Sequence, residues 1–269
     1  MGANYFGRSL QQRLQTDAAG LPLAQPRGAV TEADIADLPP TVQRYFRFMG
    51  SVGRPEVTSF RAHLTSRFRL RPGARFLPAE FWQYNTVDPI ARVFWMRISF
   101  FGVPMIGVDR YVAGRGRMLG KLLDLVTVAD GQGPEFDIGE LTTWLNNAVM
   151  MAPSMLLRAG AGFTAEDEHC FEVTLSDAGR TVRARITVDD RGAPVDFRSD
   201  DRYADLPDGL VRAVWATPIE GWQHIDGQAL PTTAAADWHL PTGPYRYAEL
   251  RFAPDAIVRN PSGAGDVAV

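Results

Sequence analysis

From about Val57 to Phe252 the chain keeps a period of two through most of its length, and that pattern restricts it to sheet. Phe60, Ala62, Leu64, Phe68 and Leu70 fall on one side of the first such run, and Arg61, His63, Thr65, Arg67 and Arg69 on the other. Further strands are predicted at Glu80 to Thr86 and Ile90 to Phe100, pairing across Asp88-Pro89. Met105 to Ala113 and Met118 to Ala129 follow, joined through Gly114 and Gly116. After an interruption come Cys170 to Leu175, Thr181 to Val188, Val195 to Tyr203, Leu210 to Pro218, Ala229 to Leu240 and Tyr245 to Phe252.

The interruption has helical spacing. Ile138, Leu141, Leu145, Ala148 and Val149 form a stripe, with Asp137 placed to cap it and Glu140 three residues on. A second helix is predicted over Leu38 to Met49, where Val42, Tyr45, Phe46 and Met49 recur and Gly50 ends it. Near the N-terminus Phe6, Leu10 and Leu14 make a short stripe. The organisation predicted is a loosely ordered segment over 1–30, one curved-sheet domain over 31–259 with a helical insert at about 137–158, and a disordered tail over 260–269. The fold class is α+β, a large curved antiparallel half-barrel with helices covering an apolar cavity.

Composition excludes several functions. With 45% hydrophobic residues among 269 and a net charge of −3, the chain supports a real core and offers no basic tract for nucleic acid. No run approaches the about 20 apolar residues that cross a bilayer, and the first 30 residues lack the apolar core of a signal peptide, so a soluble cytoplasmic protein is expected. Cys170 is the one cysteine and has no disulfide partner in the chain. Lys121 is the one lysine, so the basic complement is arginine, suited to fixed pairing with carboxylates.

Familiar catalytic motifs fail on inspection. Gly114 to Lys121 looks like a phosphate loop, but Arg115 stands where the first glycine belongs and Leu122 where Ser or Thr would hold magnesium. No G-x-S-x-G elbow exists. His63, His169, His224 and His239 share no metal-binding spacing, and His169 and Cys170 point to opposite faces of a strand. Neither metal nor cofactor is expected.

Three polar constellations remain. Asp109 shares a strand face with Met105 and Tyr111; it is either a hydrogen-bonded structural acid or an acid of raised pKa fit for proton transfer. Glu140, Trp144 and Asn147 lie on one helix face, with Met151 extending the line; they either line a pocket or, for Glu140, cap the helix. On the strand VDFRSDDRY, Arg198, Asp200 and Arg202 share one face as an ion-pair ladder, while Asp201 sits with Phe197 and Tyr203 on the other and is the better cavity candidate.

The segments GVDRYVAGRGRM, GELTTWLNNAVMMAPSMLL, FRSDDRY, WATPI and WHLPTGPYRYAEL, in this order from about Leu38 to Asn260, resemble an uncharacterised bacterial domain-of-unknown-function family. Its strand order is similar to the Lol lipoprotein-carrier half-barrels, which implies a curved sheet with helices plugging an apolar cavity. The resemblance supplies no established chemistry for the matching Asp109, Tyr111, Glu140, Asn147, Asp200, Asp201, Arg202, Thr217 and Tyr247.

The function expected is binding of a hydrophobic small molecule, a lipid, isoprenoid or polyketide. The predicted lining is Trp82, Trp95, Tyr111, Trp144, Asn147, Trp215, His239 and Tyr247 within a wider aromatic set of Phe81, Phe94 and Trp238. The alternative is a cofactor-independent cyclase or isomerase with Asp109, Glu140 or Asp201 as acid or base. A protein-binding role would instead show as a large exposed apolar patch.

Overall fold

The computed structural model describes residues 9–100, 102–206 and 209–262. Helix α1 (Leu10–Ala18), a 3-10 turn at Ala33–Ile35 and helix α2 (Pro40–Phe48) come first. Strands β1 (Ser59–Phe68), β2 (Leu77–Val87), β3 (Ile90–Phe100), β4 (Val103–Val112), β5 (Arg115–Leu122) and β6 (Val126–Gln132) follow. Helices α3 (Pro134–Met151) and α4 (Ser154–Arg158) separate these from β7 (Gly162–Ala165), β8 (Cys170–Asp177), β9 (Arg180–Val188) and β10 (Pro194–Ser199). The chain ends with β11 (Tyr203–Leu206), β12 (Gly209–Arg212), β13 (Val214–Ala216), β14 (Ile219–Ile225), β15 (Gln228–Leu240), β16 (Gly243–Arg251) and β17 (Ile257–Arg259).

Fifteen of these strands form one antiparallel sheet in the order β6-β5-β4-β3-β2-β1-β16-β15-β13-β10-β9-β8-β7. Strand β14 pairs with β15 and β17 with β1, outside that path. The sheet is large and curved, and the path ends at β6 and β7 without closing. Strands β11 and β12 make a separate hairpin. No helix among the described residues is long and apolar enough to cross a membrane.

Helix α3 lies in the concavity and touches both arms: β3 to β6 on one side, β9, β10 and β15 on the other. It is therefore buried almost all round, Leu141, Trp144, Leu145, Ala148 and Val149 completely so. Helix α2 packs on β7 and β8, where Tyr45 and Phe46 meet Phe171 and Phe163. Helix α1 lies on the convex side against β2 and β3, with Leu14 and Ala18 on Tyr84 and Val93. Phe6, the first residue of the predicted stripe, is outside the described residues, as is 263–269. Asn260 is held by its side chain, which accepts from the Thr58 backbone at 2.8 Å.

Three local expectations are corrected. Met118 to Ala129 is not one strand. The chain reverses between β5 and β6 with Leu123 and Asp124 in the left-handed region (φ 52° and 59°), and Asp124 is tied to Arg13 at 2.5 Å. Helix α3 starts at Pro134, whose ring suits a first turn, and not at Asp137. Asp137 does not cap the helix. Its Oδ1 accepts the Gly116 backbone N–H at 2.7 Å, and its Oδ2 meets Arg180. The strand from Val195 ends at Ser199, and residues 200–202 bend before β11. The alternation assumed for Arg198, Asp200 and Arg202 fails at that bend.

The helix approaches the sheet through glycine. A Cβ on Gly116 would lie 2.1 Å from the Phe136 carbonyl oxygen and 2.8 Å from the Asp137 nitrogen. A Cβ on Gly131 would strike the Phe136 ring at 2.1 Å. Backbone cannot yield as a flexible side chain can. Gly116→Ala is therefore expected to lose about 1–3 kcal/mol of stability in chemical denaturation, the usual range for overpacking. An unchanged midpoint would mean that the start of α3 is not seated on β5 in solution.

Candidate functional site

Between α3 and the concave face lies a cavity of ≈ 470 Å³, an ordinary size for a small-molecule site. Strand parity decides its lining. On β2 and β3, Phe81, Gln83, Arg92, Phe94 and Met96 face inward; on β4 and β5, Met105, Asp109 and Met118 do so. Across the concavity stand Trp215, Trp238, Tyr245 and Tyr247. Helix α3 contributes Glu140, Thr143, Asn146, Asn147, Met150 and Met151. Five of the eight methionines thus line one space, and their unbranched side chains adapt to varied apolar shapes. The more open positions are Leu70, Val128 and Leu210, which are 46%, 55% and 41% exposed and set apolar groups at the mouth.

The deep end is polar. Arg92 Nη1 donates to Glu140 Oε2 at 2.7 Å, and both side chains are about 5% exposed or less (4% and 5%). Arg92 Nε donates to Asn147 Oδ1 at 3.1 Å, and Gln83 Nε2 donates to the same oxygen at 3.2 Å. The Arg92 guanidinium lies 4.6 Å from the Phe94 ring centre. Beside this network sits Asp109, opposite Phe94 and Met118 in the sheet. Its Oδ1 is buried and accepts no hydrogen bond from the described residues. Burial, reinforced by the Glu140 charge, pushes the Asp109 carboxyl up to about 7, although Arg92 and Arg202 pull it down.

Arg202 reaches the cavity from the bend after β10. Its guanidinium lies 4.2 Å from the Trp215 ring centre and 5.4 Å from that of Trp238. The Trp215 indole donates to the Tyr247 hydroxyl at 3.0 Å. Burial pushes that hydroxyl up, against the pull of Arg202 and of the Trp215 bond. Arg202 makes no ion pair among the described residues, and its Nε is buried without a partner.

The structure brings Asp109, Glu140, Asn147, Trp215 and Tyr247 of the sequence candidates to this one cavity. The others go elsewhere. Trp82 and Trp95 point to the convex face, being one residue out of phase with Phe81 and Phe94. Trp82 stacks on His63 at 4.0 Å, and Trp95 donates to Asp17 at 2.8 Å. His239 is exposed, on the opposite side of β15 from Trp238. Trp144 is core: it donates to the Thr86 carbonyl at 2.8 Å. Tyr111 faces inward but its hydroxyl donates to Asp177 at 2.6 Å, away from the cavity. Asp201 stays outside. Its Oδ2 accepts from the Arg183 backbone at 2.8 Å, its N–H donates to Ser199 Oγ, and its carbonyl accepts from Thr142 Oγ1 on α3. Asp201 thereby fixes the bend that turns Arg202 inward. Cys170 is buried, and burial pushes its thiol up to about 11, which leaves it un-ionised at neutral pH.

Sequence reasoning missed Arg92, Gln83 and Arg202 as cavity residues. For the first two a signal existed: each shares its strand face with a Phe that lines the cavity. For Arg202 there was none, since a bend breaks its parity.

The chain belongs to the Family of unknown function (DUF6544), whose model matches residues 28–250. A search of curated proteins finds no match. Among solved structures it is similar to a domain from Vibrio parahaemolyticus described as an outer membrane lipoprotein-sorting protein (TM-score 0.40, 11% identity, 75% of this chain and 85% of that one). It is also similar to a LolA superfamily protein from Nitrosomonas europaea (TM-score 0.39, 12% identity, 84% and 92%). A β-barrel-like protein of domain of unknown function DUF1849 from Brucella abortus aligns at TM-score 0.28 with 12% identity over 76% and 98%. Likeness at this level does not extend to ligand or activity.

The Arg92–Glu140 pair is buried on both sides. Glu140→Ala leaves a guanidinium uncompensated and is expected to lose about 3–5 kcal/mol by denaturant titration, most of it recovered in Arg92→Met/Glu140→Leu. A loss of the same size in the double variant would show that the stranded guanidinium is not what destabilises Glu140→Ala.

Asp109 sets a pH dependence of the opposite sign from an ordinary salt-bridged acid. The folded state keeps a proton that the unfolded carboxyl releases near 3.8. Its contribution is full below that value and fades as pH rises toward 7. Asp109→Asn should therefore raise Tm at pH 8 by about 2–8 °C, the effect of ~1–2 kcal/mol in a chain this long, and change it little at pH 4. A variant destabilised equally at both pH values would remove the case for a protonated Asp109.

Proposed function

We propose that this protein binds a hydrophobic small molecule, of the lipid, isoprenoid or polyketide kind, in the cavity between α3 and the concave sheet. The observation that carries this reading is the lining itself: ≈ 470 Å³ walled by methionines and aromatic rings, with one convergent polar cluster at depth. A space left by poor packing would be apolar throughout and lined by groups free to collapse into it. Here the inward positions of separate strands and a helix instead hold a connected set of hydrogen-bonding groups. The apolar mouth at Leu70, Val128 and Leu210 gives such a molecule an entry that matches its chemistry.

The test is native mass spectrometry of the purified protein, followed by denaturing extraction, with alkyl compounds added to protein that emerges empty. A stoichiometric apolar passenger, or uptake of an added alkyl compound, is expected. Ala236→Trp, which places an indole in the cavity from β15, should weaken that binding by about tenfold or more, ~1.4 kcal/mol. If no alkyl compound binds, the reading is wrong.

A second reading is favoured by Asp109 alone. A carboxyl pushed to about 7 inside an apolar cavity can give or take a proton near neutral pH, the requirement for a cofactor-independent cyclase or isomerase. On that reading Asp109→Asn abolishes turnover of a bound substrate and leaves its binding intact. Full turnover in the variant would exclude it.

A further inference from the structure

We infer that the cavity selects an amphiphile with an anionic head, a carboxylate or similar oxyanion, and that Arg202 is the residue that receives it. The inference rests on the hydrophobic-ligand reading above and adds the charge of the head.

The geometry begins with the two arginines. Arg92 is committed: its guanidinium already donates to Glu140 at 2.7 Å and to Asn147 at 3.1 Å. Arg202 is not. It lines the same cavity, forms no ion pair among the described residues, has the neutral Tyr247 hydroxyl as its hydrogen-bonding neighbour, and lies over an indole, 4.2 Å from the Trp215 centre. A cation–π contact uses the face of a guanidinium and not its N–H groups; Nε is buried without a partner among the described residues, and a guanidinium edge matches a carboxylate in two-point fashion. A lone cation at the edge of an apolar space lacks the solvation it had in water, and an incoming anion restores a partner.

The local charge sum agrees. The groups that face one another here are Arg92 from β3, Glu140 from α3, Asp109 from β4, Arg202 from the bend and Tyr247 from β16. Arg92 and Glu140 cancel. Asp109 holds its proton up to about neutrality, so Arg202 leaves the cluster with one positive charge. A protonated Asp109 can also donate a hydrogen bond to an oxyanion, whereas an ionised one repels it. The mouth carries both signs, Arg69 and Arg71 against Glu135 and Asp205, so selection falls to the interior.

The position of Arg202 is built. Asp201 fastens the bend to β9 and, through Thr142, to α3, and the Arg202 carbonyl accepts the Ala213 N–H. The side chain passes over Gly139, whose added Cβ would come within 3.8 Å of Nε.

The experiment is calorimetric titration of the full chain with three probes that share one tail: dodecanoate, dodecanol and dodecyltrimethylammonium. At pH 6 dodecanoate is expected to bind about tenfold or more tightly than dodecanol, and the ammonium compound most weakly. Arg202→Gln should erase the preference for dodecanoate over dodecanol. In the wild type, dodecanoate affinity should fall between pH 6 and pH 8 as Asp109 ionises, and Asp109→Asn should flatten that fall. Equal binding of dodecanoate and dodecanol by the wild type, a comparison that needs no variant to fold, overturns the inference and leaves the hydrophobic cavity standing. So does a preference that survives Arg202→Gln. Failure of all three probes to bind overturns the hydrophobic reading and this inference with it.

Discussion

The buried pair between Arg92 on β3 and Glu140 on α3 is the interaction on which the rest of the interior depends. A helix lying in a curved sheet could be held by apolar contact alone, and most of α3 is. Apolar contact does not fix rotation or register, because Leu, Met and Val sit nearly as well one step along. A charge pair can sit in only one arrangement without leaving a charge stranded, which costs about 3–5 kcal/mol. Arg92 also bonds Asn147 two turns further along the helix, so the guanidinium grips α3 at two levels. One turn before Glu140, near the N-terminus of the helix, Asp137 takes the Gly116 N–H and pairs with Arg180. Along the face of the helix that carries these anchors, from Glu135 to Met151, lies the cavity.

The same anchors explain why the cavity stays open. A helix free to settle would sink until its side chains filled the concavity. The Phe136 carbonyl lies so near Gly116 that not even a Cβ would fit between them, which leaves the N-terminal end little room to settle further. Arg92, Gln83 and Asn147 form a rigid polar strut farther along, and a polar strut cannot be compressed without losing its hydrogen bonds. The methionines around it are the adaptable part of the lining.

The strands were legible wherever alternation ran unbroken, as in the β2–β3 and β8–β9 hairpins, because a half-buried strand writes its two faces directly into the residue order. The half-barrel with helices over a cavity followed from the placement of one helical stretch between two runs of strands. Asp109, Glu140 and Asn147 were legible for a related reason: each breaks the polarity of the face it occupies. Aromatic residues were less informative. Trp82 and Trp95 look like lining in composition, yet parity with Phe81 and Phe94 sends them to the convex face, where α1 covers them. Trp144 has a helix position next to Asn147 but rotates to the Thr86 carbonyl. Asp201 and Arg202 exchanged roles because a bend is invisible to an alternation rule. The Ser199 hydroxyl and the Arg183 N–H that create it belong to side-chain bonding and to a neighbouring strand.

The contrast between Arg92 and Arg202 is the point at which structure passes into function. A fold under selection for stability alone would satisfy both guanidiniums, and this one has acids at hand. Asp109 faces the same space as Arg202, is pushed toward its neutral form, and still leaves Oδ1 without a donor among the described residues. The acid and the base are near enough to influence one another's charge, yet they form no ion pair. Had they closed on each other, the interior would be more stable and chemically inert. Unpaired, they leave the Arg202 Nε and an acid pushed toward its neutral form in a largely apolar space. Polar capacity left unspent at the deep end of a lined cavity is what a binding or catalytic site requires and what a hydrophobic core avoids.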